Sequence, residues 1–260
     1  GCVIGDEAHM FKAKSLTGSM TKLQKCKYRF GFTGTLDGTE THRLILEGLF
    51  GTVEQVVTTK ELMDKKTLAN LKINCITLKH PEKKERMTYS EEIDYLVSKE
   101  SRNKFIVDLC NKLKGNTLCL FQLVDKHGKV LYDKMKESEN VYFVYGGTDT
   151  EQREKIRGFV ESHKKSTTIA SYGTFSTGIN IRNIHNIVLA SPSKSKIRVL
   201  QSIGRGLRTS NSKDSILVFD ISDDISYNGR YNFTLNHFLE RLNIYNEQKF
   251  NYEISKVRIK

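Results

Sequence analysis

Residues 102–123 read RNKFIVDLCNKLKGNTLCLFQL, a helical pattern from Arg102 to Lys114 followed by an apolar strand from Thr117 to Leu123. The alternation repeats downstream. A helix is expected from Gly128 to Glu137, a strand from Val141 to Tyr145 and a helix from Thr150 to Ser162. Strands follow at Thr167 to Ser171 and Asn186 to Ala190, then a helix from Ser195 to Leu207 and a strand from Ser215 to Ile221. Short strands alternating with helices predict an α/β fold, a parallel sheet covered by helices. Such sheets place ligands at the carboxyl ends of their strands. The last stretch, Asn232 to Lys260, reads as a helix followed by an edge strand in which Val257 and Ile259 alternate.

Upstream, a polar Lys/Glu-rich segment from His80 to about Ser101 interrupts the pattern and carries a capping-box signature at Thr88 and Glu91, so it reads as linker plus helix. Before it, Val3-Ile4 leads into Asp6 and a helix-like stretch in which Leu16, Met20, Leu23 and Cys26 share one face. An apolar run from Tyr28 to Phe32 ends in Thr33-Gly34-Thr35, and further strand candidates span Val53 to Val57 and Leu71 to Leu78.

A hydrophobic fraction of 38% over 260 residues is enough to bury a core, and no apolar run approaches the roughly 18 residues of a membrane helix. The expectation is a soluble, cytoplasmic, monomeric protein without a membrane partner. The chain opens on Gly1 with neither a basic leader nor a cleavage site, and so reads as a cut from something longer. Lys and Arg outnumber Asp and Glu by 42 to 30, and the net charge of +12 favours a polyanionic partner such as nucleic acid. A merely solvated basic surface fits that charge equally well. Cys2, Cys26, Cys75, Cys110 and Cys119 show no C-x-x-C spacing and read as buried thiols, and the scattered histidines suggest no protein-only metal site.

Asp6-Glu7-Ala8-His9 falls where the first strand ends. Nucleoside-triphosphate hydrolysis needs one acid to hold Mg²⁺ through water and a second group to orient the attacking water, and adjacent carboxylates suit the two tasks. Alone, the tetrapeptide is also compatible with an acidic helix cap. Arg205 and Arg208 lie three residues apart on one helical face, so both guanidinium groups can reach one target. An exposed basic helix touching phosphates is the plainer alternative. Asp220, Asp223 and Asp224 read as ordinary solvated loop, and Tyr142, Phe143 and Tyr145 as strand core.

Taken in order, Asp6 to His9, Thr33 to Thr35, Cys119 to Gln122, Tyr145 to Thr148, Gly173 to Asn180 and Gln201 to Arg208 resemble the motifs of superfamily 2 helicases of the DEAH-box type. The wording of Ser171 to Ile181 is similar to that of phage recombination-repair helicases. The resemblance covers nearly the whole chain. It implies RecA-like parallel sheets with flanking helices: the C-terminal part of a first RecA-like domain at 1–80, linker and helix at 81–101, and a complete second domain at 102–260.

The cofactors it implies are ATP and Mg²⁺. Asp6 would hold Mg²⁺ through water, Glu7 would activate the attacking water, and Arg205 and Arg208 would be arginine fingers. His9, Gly178, Asn180 and Gln201 would face the nucleotide, although Asn180 replaces the family's usual Asp and loses its charge. Thr33 and Thr35 would couple hydrolysis to movement. Thr148, Ser171 and Thr174 would contact the nucleic-acid backbone, though each fits a turn or cap as well. The implied substrate is DNA, as branched duplex or RNA–DNA hybrid, in recombination, repair and replication, with the host cytoplasm as location for a phage protein.

No Gly-x-x-x-x-Gly-Lys followed by Ser or Thr occurs among the residues; Gly128-Lys129 precedes Val130 and lacks the earlier glycine. In the family that loop lies upstream of the acidic motif, so the chain by itself is expected to hydrolyse no ATP. Two further readings stay compatible with the sequence. One is a non-catalytic nucleic-acid-binding module, and the other a duplex translocase that does not separate strands.

Overall fold

The structure is a computed structural model that describes the chain except residues 12–13, 35, 37–38, 82–86, 175–180, 182, 192–199, 201–202, 205–206 and 208–214. It divides into two compact units, one of residues 1–58 with 195–201 and the other of residues 59–194 with 202–260.

In the smaller unit, β1 (Cys2–Gly5) and β2 (Tyr28–Gly31) pair in parallel, with α1 (Lys14–Lys22) in the connection between them. Helix α2 (Glu40–Phe50) follows and buries His42, Leu46 and Leu49. Gly5 and Gly31 are cross-strand partners. A Cβ at Gly5 would sit 2.9 Å from the Phe50 ring, and one at Gly31 would sit 2.9 Å from the same ring and 3.1 Å from Ala8 Cβ. Two glycines side by side therefore let Phe50 lie against the backbone just behind Asp6. Phe11 meets Phe50 edge-on at 5.1 Å and completes this contact. The residues from Val53 to Val57, expected as a strand, form no regular element, and Val56 is 92% exposed.

The larger unit is built on a seven-stranded sheet in which every adjacent pair is parallel. Its strands are β3 (Asn70–Lys79), β4 (Asn116–Phe121), β5 (Val141–Val144), β6 (Ser166–Ser171), β7 (Asn186–Leu189), β8 (Ser215–Asp224) and β9 (Asn251–Arg258). They lie in the order β5-β6-β4-β7-β8-β3-β9, so the C-terminal strand does form an edge. The helices of this unit that lie wholly among the described residues include α3 (Thr59–Asp64), α4 (Tyr89–Ser98), α5 (Glu100–Lys112), α6 (Lys129–Met135), α7 (Thr150–Ser162) and α8 (Phe233–Glu247). Every residue of β4 and β7 is buried, as central strands covered on both faces require. Leu78, Ile106, Cys110, Cys119, Phe121, Leu131 and Val188 belong to one core cluster, and Phe143 stacks on Phe121 at 5.5 Å.

Helix α4 begins with the capping box expected at Thr88 and Glu91: Glu91 N donates to Thr88 Oγ1, and Thr88 N donates to Glu91 Oε2. The division of the chain differs from the expected boundary at residue 80. Strand β3 pairs with β8 and β9, which places residues 59–79 in the larger unit. Of the cysteines, Cys75, Cys110 and Cys119 are buried, whereas Cys2 is exposed.

The aspartates expected in a solvated loop are a second correction. Strand β8 runs to Asp224, and Asp220 and Asp223 are fully buried within it. Asp220 accepts from the Arg241 guanidinium at 2.7 Å and from the Tyr245 hydroxyl at 2.8 Å. Asp223 accepts from Arg102 Nε at 2.9 Å and lies 2.8 Å from His80 Nε2. Two buried arginines satisfy these carboxylates, because a buried charge survives only when paired and hydrogen-bonded.

Candidate active site

Gly5 ends β1, and the chain then turns sharply. Glu7 takes a left-handed backbone conformation, φ 47° and ψ 49°, and leads into a single 3₁₀ turn at Ala8–Met10. A non-glycine residue there costs on the order of 1 kcal/mol or more, and such strain concentrates at functional positions. The turn is pinned from both sides: Phe32 N donates to Gly5 O at 2.8 Å, and Ala8 N donates to Phe32 O at 2.8 Å. Asp6 Oδ1 accepts from Glu7 N at 2.8 Å.

The pinning separates the four motif residues by environment. Ala8 and His9 are buried, each 4% exposed, while Asp6 and Glu7 face solvent. His9 Nδ1 lies 2.9 Å from Thr33 Oγ1 and 3.3 Å from Glu7 Oε2. The histidine thus joins the acidic turn to the loop after β2. Two outward carboxylates are hard oxygen donors of the kind Mg²⁺ takes through water, so Asp6 and Glu7 fit the metal and water tasks expected of them.

The remaining site residues fare unequally. Thr148 is 7% exposed; its hydroxyl accepts from Tyr145 N at 3.1 Å and closes a turn after β5. Ser171 and Thr174 bond one another through their hydroxyls at 2.8 Å, and Thr174 N donates to Ser171 Oγ at 3.3 Å. Internal partners therefore engage all three hydroxyls. Thr35, Gly178, Asn180, Gln201, Arg205 and Arg208 lie outside the described residues.

A buried polar group in the larger unit escaped the sequence reading. His127 follows β4 in a single π turn, fully buried, and its Nδ1 lies 2.9 Å from Ser191 Oγ. Ser191 Oγ also accepts from Gln122 N at 3.1 Å, and Arg102 Nη2 donates to Ala190 O at 2.8 Å. Desolvation, reinforced by the Arg102 charge and only partly opposed by Asp223, pushes the His127 pKa down to about 3. The ring is therefore neutral, and it ties the end of β4 to the segment leaving β7. No local sequence signal marks such a histidine, because its partners come from distant strands.

Residues 99–210 match the model of the helicase conserved C-terminal domain. The whole chain is 36% identical over 277 aligned residues to the ATP-dependent DNA helicase uvsW of Enterobacteria phage T4, and spans 55% of that protein. The crystal structure of T4 UvsW superposes with a TM-score of 0.64 at 35% identity, covering 99% of this chain and 54% of that one. By these matches the chain is similar over its whole length to a superfamily 2 helicase. A DNA-bound Type ISP restriction-modification enzyme, LlaBIII, shares the fold alone, with a TM-score of 0.66 at 11% identity over 99% of this chain and 22% of that one. Likeness to these helicases agrees with the seven-stranded parallel sheet and with the acidic turn at the end of β1.

Proposed function

We propose that this chain is part of an ATP-driven DNA motor that unwinds or branch-migrates branched DNA and R-loops in recombination, repair and replication. One observation carries the reading: the acidic turn keeps Asp6 and Glu7 outward while His9 is buried against Thr33. That arrangement gives nucleotide chemistry and the second motif loop a shared hinge.

In this mechanism Asp6 would hold Mg²⁺ through water and Glu7 would orient and deprotonate the attacking water. When bound, Mg²⁺ would supply charge neutralisation and ATP the electrophilic phosphorus. Arg205 and Arg208 act as fingers on the γ-phosphate, a contribution typically worth about 10³ to 10⁵ in rate. Gly178, Asn180 and Gln201 face the nucleotide, and Thr33 and Thr35 couple its hydrolysis to movement. The turns at Thr148 and at Ser171–Thr174 sit at carboxyl ends of strands and present the chain to the nucleic-acid backbone. Residues 1–260 alone hydrolyse no ATP, because a phosphate-binding loop does not occur in their sequence.

The test is DNA-stimulated ATP hydrolysis by the protein extended upstream to include such a loop, with forked, four-way and RNA–DNA hybrid substrates compared. Hydrolysis coupled to strand displacement or branch movement supports the motor. Hydrolysis without displacement on any substrate would make it a duplex translocase, and no hydrolysis at all would leave a binding module.

A further inference from the structure

A cleft of about 360 Å³ opens in the larger unit where β8 ends and α8 begins, lined by Met87, Ile225, Tyr227, Arg230, Tyr231 and Phe233 among others. Its volume falls in the range of sites that take one small-molecule-sized group. Its outer wall is a tight hairpin. Asn228 and Gly229 both have positive φ, 49° and 71°, and Tyr227 and Arg230 exchange backbone hydrogen bonds of 3.2 and 2.9 Å across them. Asn-Gly is the pair that a two-residue hairpin turn with left-handed centres demands, so the wall has one well-defined shape.

The floor is equally fixed. The Asn232 amide donates to Glu92 Oε1 at 2.8 Å, to Asp223 O at 3.1 Å and to Thr234 Oγ1 at 2.9 Å. Glu92, 1% exposed, also accepts from Phe233 N at 2.9 Å and Thr234 N at 2.6 Å, and so caps α8. Glu92 itself lines the cleft, and both of its oxygens are engaged by these N–H donors. On this base stand Tyr231 and Arg230, while the Phe233 ring is already met edge-on by Tyr89 at 6.0 Å. Tyr231 is 62% exposed and Phe233 is 37% exposed, and Arg230 is exposed and in no ion pair among the described residues. An aromatic face beside a guanidinium, on a chain of net charge +12, is the pairing that stacks a base and neutralises its phosphate.

Position supports the same ligand. All strands of the sheet are parallel, so the cleft opens on the carboxyl edge that also carries Ser171 and Thr174. Three strand spacings separate β6 from β8, about 14 Å at ~4.8 Å each. At about 3.4 Å per stacked nucleotide that is on the order of four nucleotides.

We propose that this cleft takes one base of single-stranded nucleic acid, stacked on Tyr231 with its phosphate held by Arg230, and so adds a contact beyond the helicase motifs. The proposal rests on the nucleic-acid reading of the chain. Anisotropy of a labelled 12-nucleotide DNA oligomer with the 260-residue chain tests it, beside a duplex and an RNA of the same sequence. Tyr231→Ala weakens single-strand binding roughly 5- to 150-fold, while Tyr231→Phe keeps it and duplex binding is unchanged. Arg230→Ala lowers the slope of affinity against salt by about one counterion. DNA and RNA respond alike, because stacking uses the base.

Melting curves confirm that the variants fold, as expected for exposed side chains. Tyr231→Ala binding like wild type overturns the cleft, and so does Tyr231→Phe failing as badly as Tyr231→Ala. If wild type binds no single strand, both the cleft and the nucleic-acid reading fall. If wild type binds and only the cleft variants are silent, the nucleic-acid reading stands and the cleft alone is lost.

Discussion

His9 Nδ1 and Thr33 Oγ1 are 2.9 Å apart, and this contact makes the acidic turn after β1 and the loop after β2 a single mechanical piece. Thr33→Val keeps the shape and removes the hydroxyl. The smaller unit should lose about 1 kcal/mol, the ordinary worth of one such bond, read as a lower unfolding midpoint. If the chain works in the proposed motor, the same change should raise the ATP consumed per base pair moved. Unchanged coupling would separate Thr33 from transmission.

The paired glycines behind the turn give a second prediction. Gly31→Ala puts a Cβ 2.9 Å from the Phe50 ring and 3.1 Å from Ala8 Cβ, so the ring has to shift to admit it. A loss of about 1–3 kcal/mol is expected in chemical denaturation. Gly48→Ala is the control: it meets nothing within 4 Å in α2 and should be neutral or slightly stabilising.

Asp223 anchors the buried group around Arg102. Burial alone would raise its pKa, but the Arg102 charge and the bonds from His80 and Arg102 outweigh that and hold it below the usual carboxylate value. Its folded pKa is depressed, so its stabilisation is complete above about pH 4 and is lost as pH falls through the lower folded value. Asp223→Asn should cost about 3–5 kcal/mol at neutral pH by leaving Arg102 buried without its counter-charge. Urea midpoints measure it, and a loss under ~1 kcal/mol would contradict the pairing.

His127 acts over a different pH window. With a folded pKa of about 3, it stays neutral in the native state while the unfolded chain takes up a proton below about pH 6.5. Stability should therefore fall as pH drops from about 6.5 toward 3, by at most ~1.4 kcal/mol per pH unit from this residue. His127→Gln should flatten the urea-derived stability profile across that window. An unchanged slope would show that the ring is charged or solvated.

Much of the larger unit was legible because its signals are local. The Thr88–Glu91 capping box and the helix at Thr150–Ser162 sit where residue pattern put them. What escaped depends on distant partners. Asp220 and Asp223 look like loop residues until Arg241 and Arg102, 21 and 121 positions away, are brought against them. The pairing of residues 70–79 with β8 and β9 likewise spans too much of the chain to be read locally. In the candidate site, Asp6, Glu7 and His9 could be read from a strand end and a tetrapeptide. The His9–Thr33 contact spans 24 residues and could not.

The central claim is that Glu7 activates water for ATP hydrolysis. Glu7→Gln removes the carboxylate charge with little change of shape at an exposed position. In the extended protein of the proposed ATPase test, nucleotide binding should persist while DNA-stimulated hydrolysis falls by about 10² or more. Hydrolysis at the wild-type rate would contradict the account.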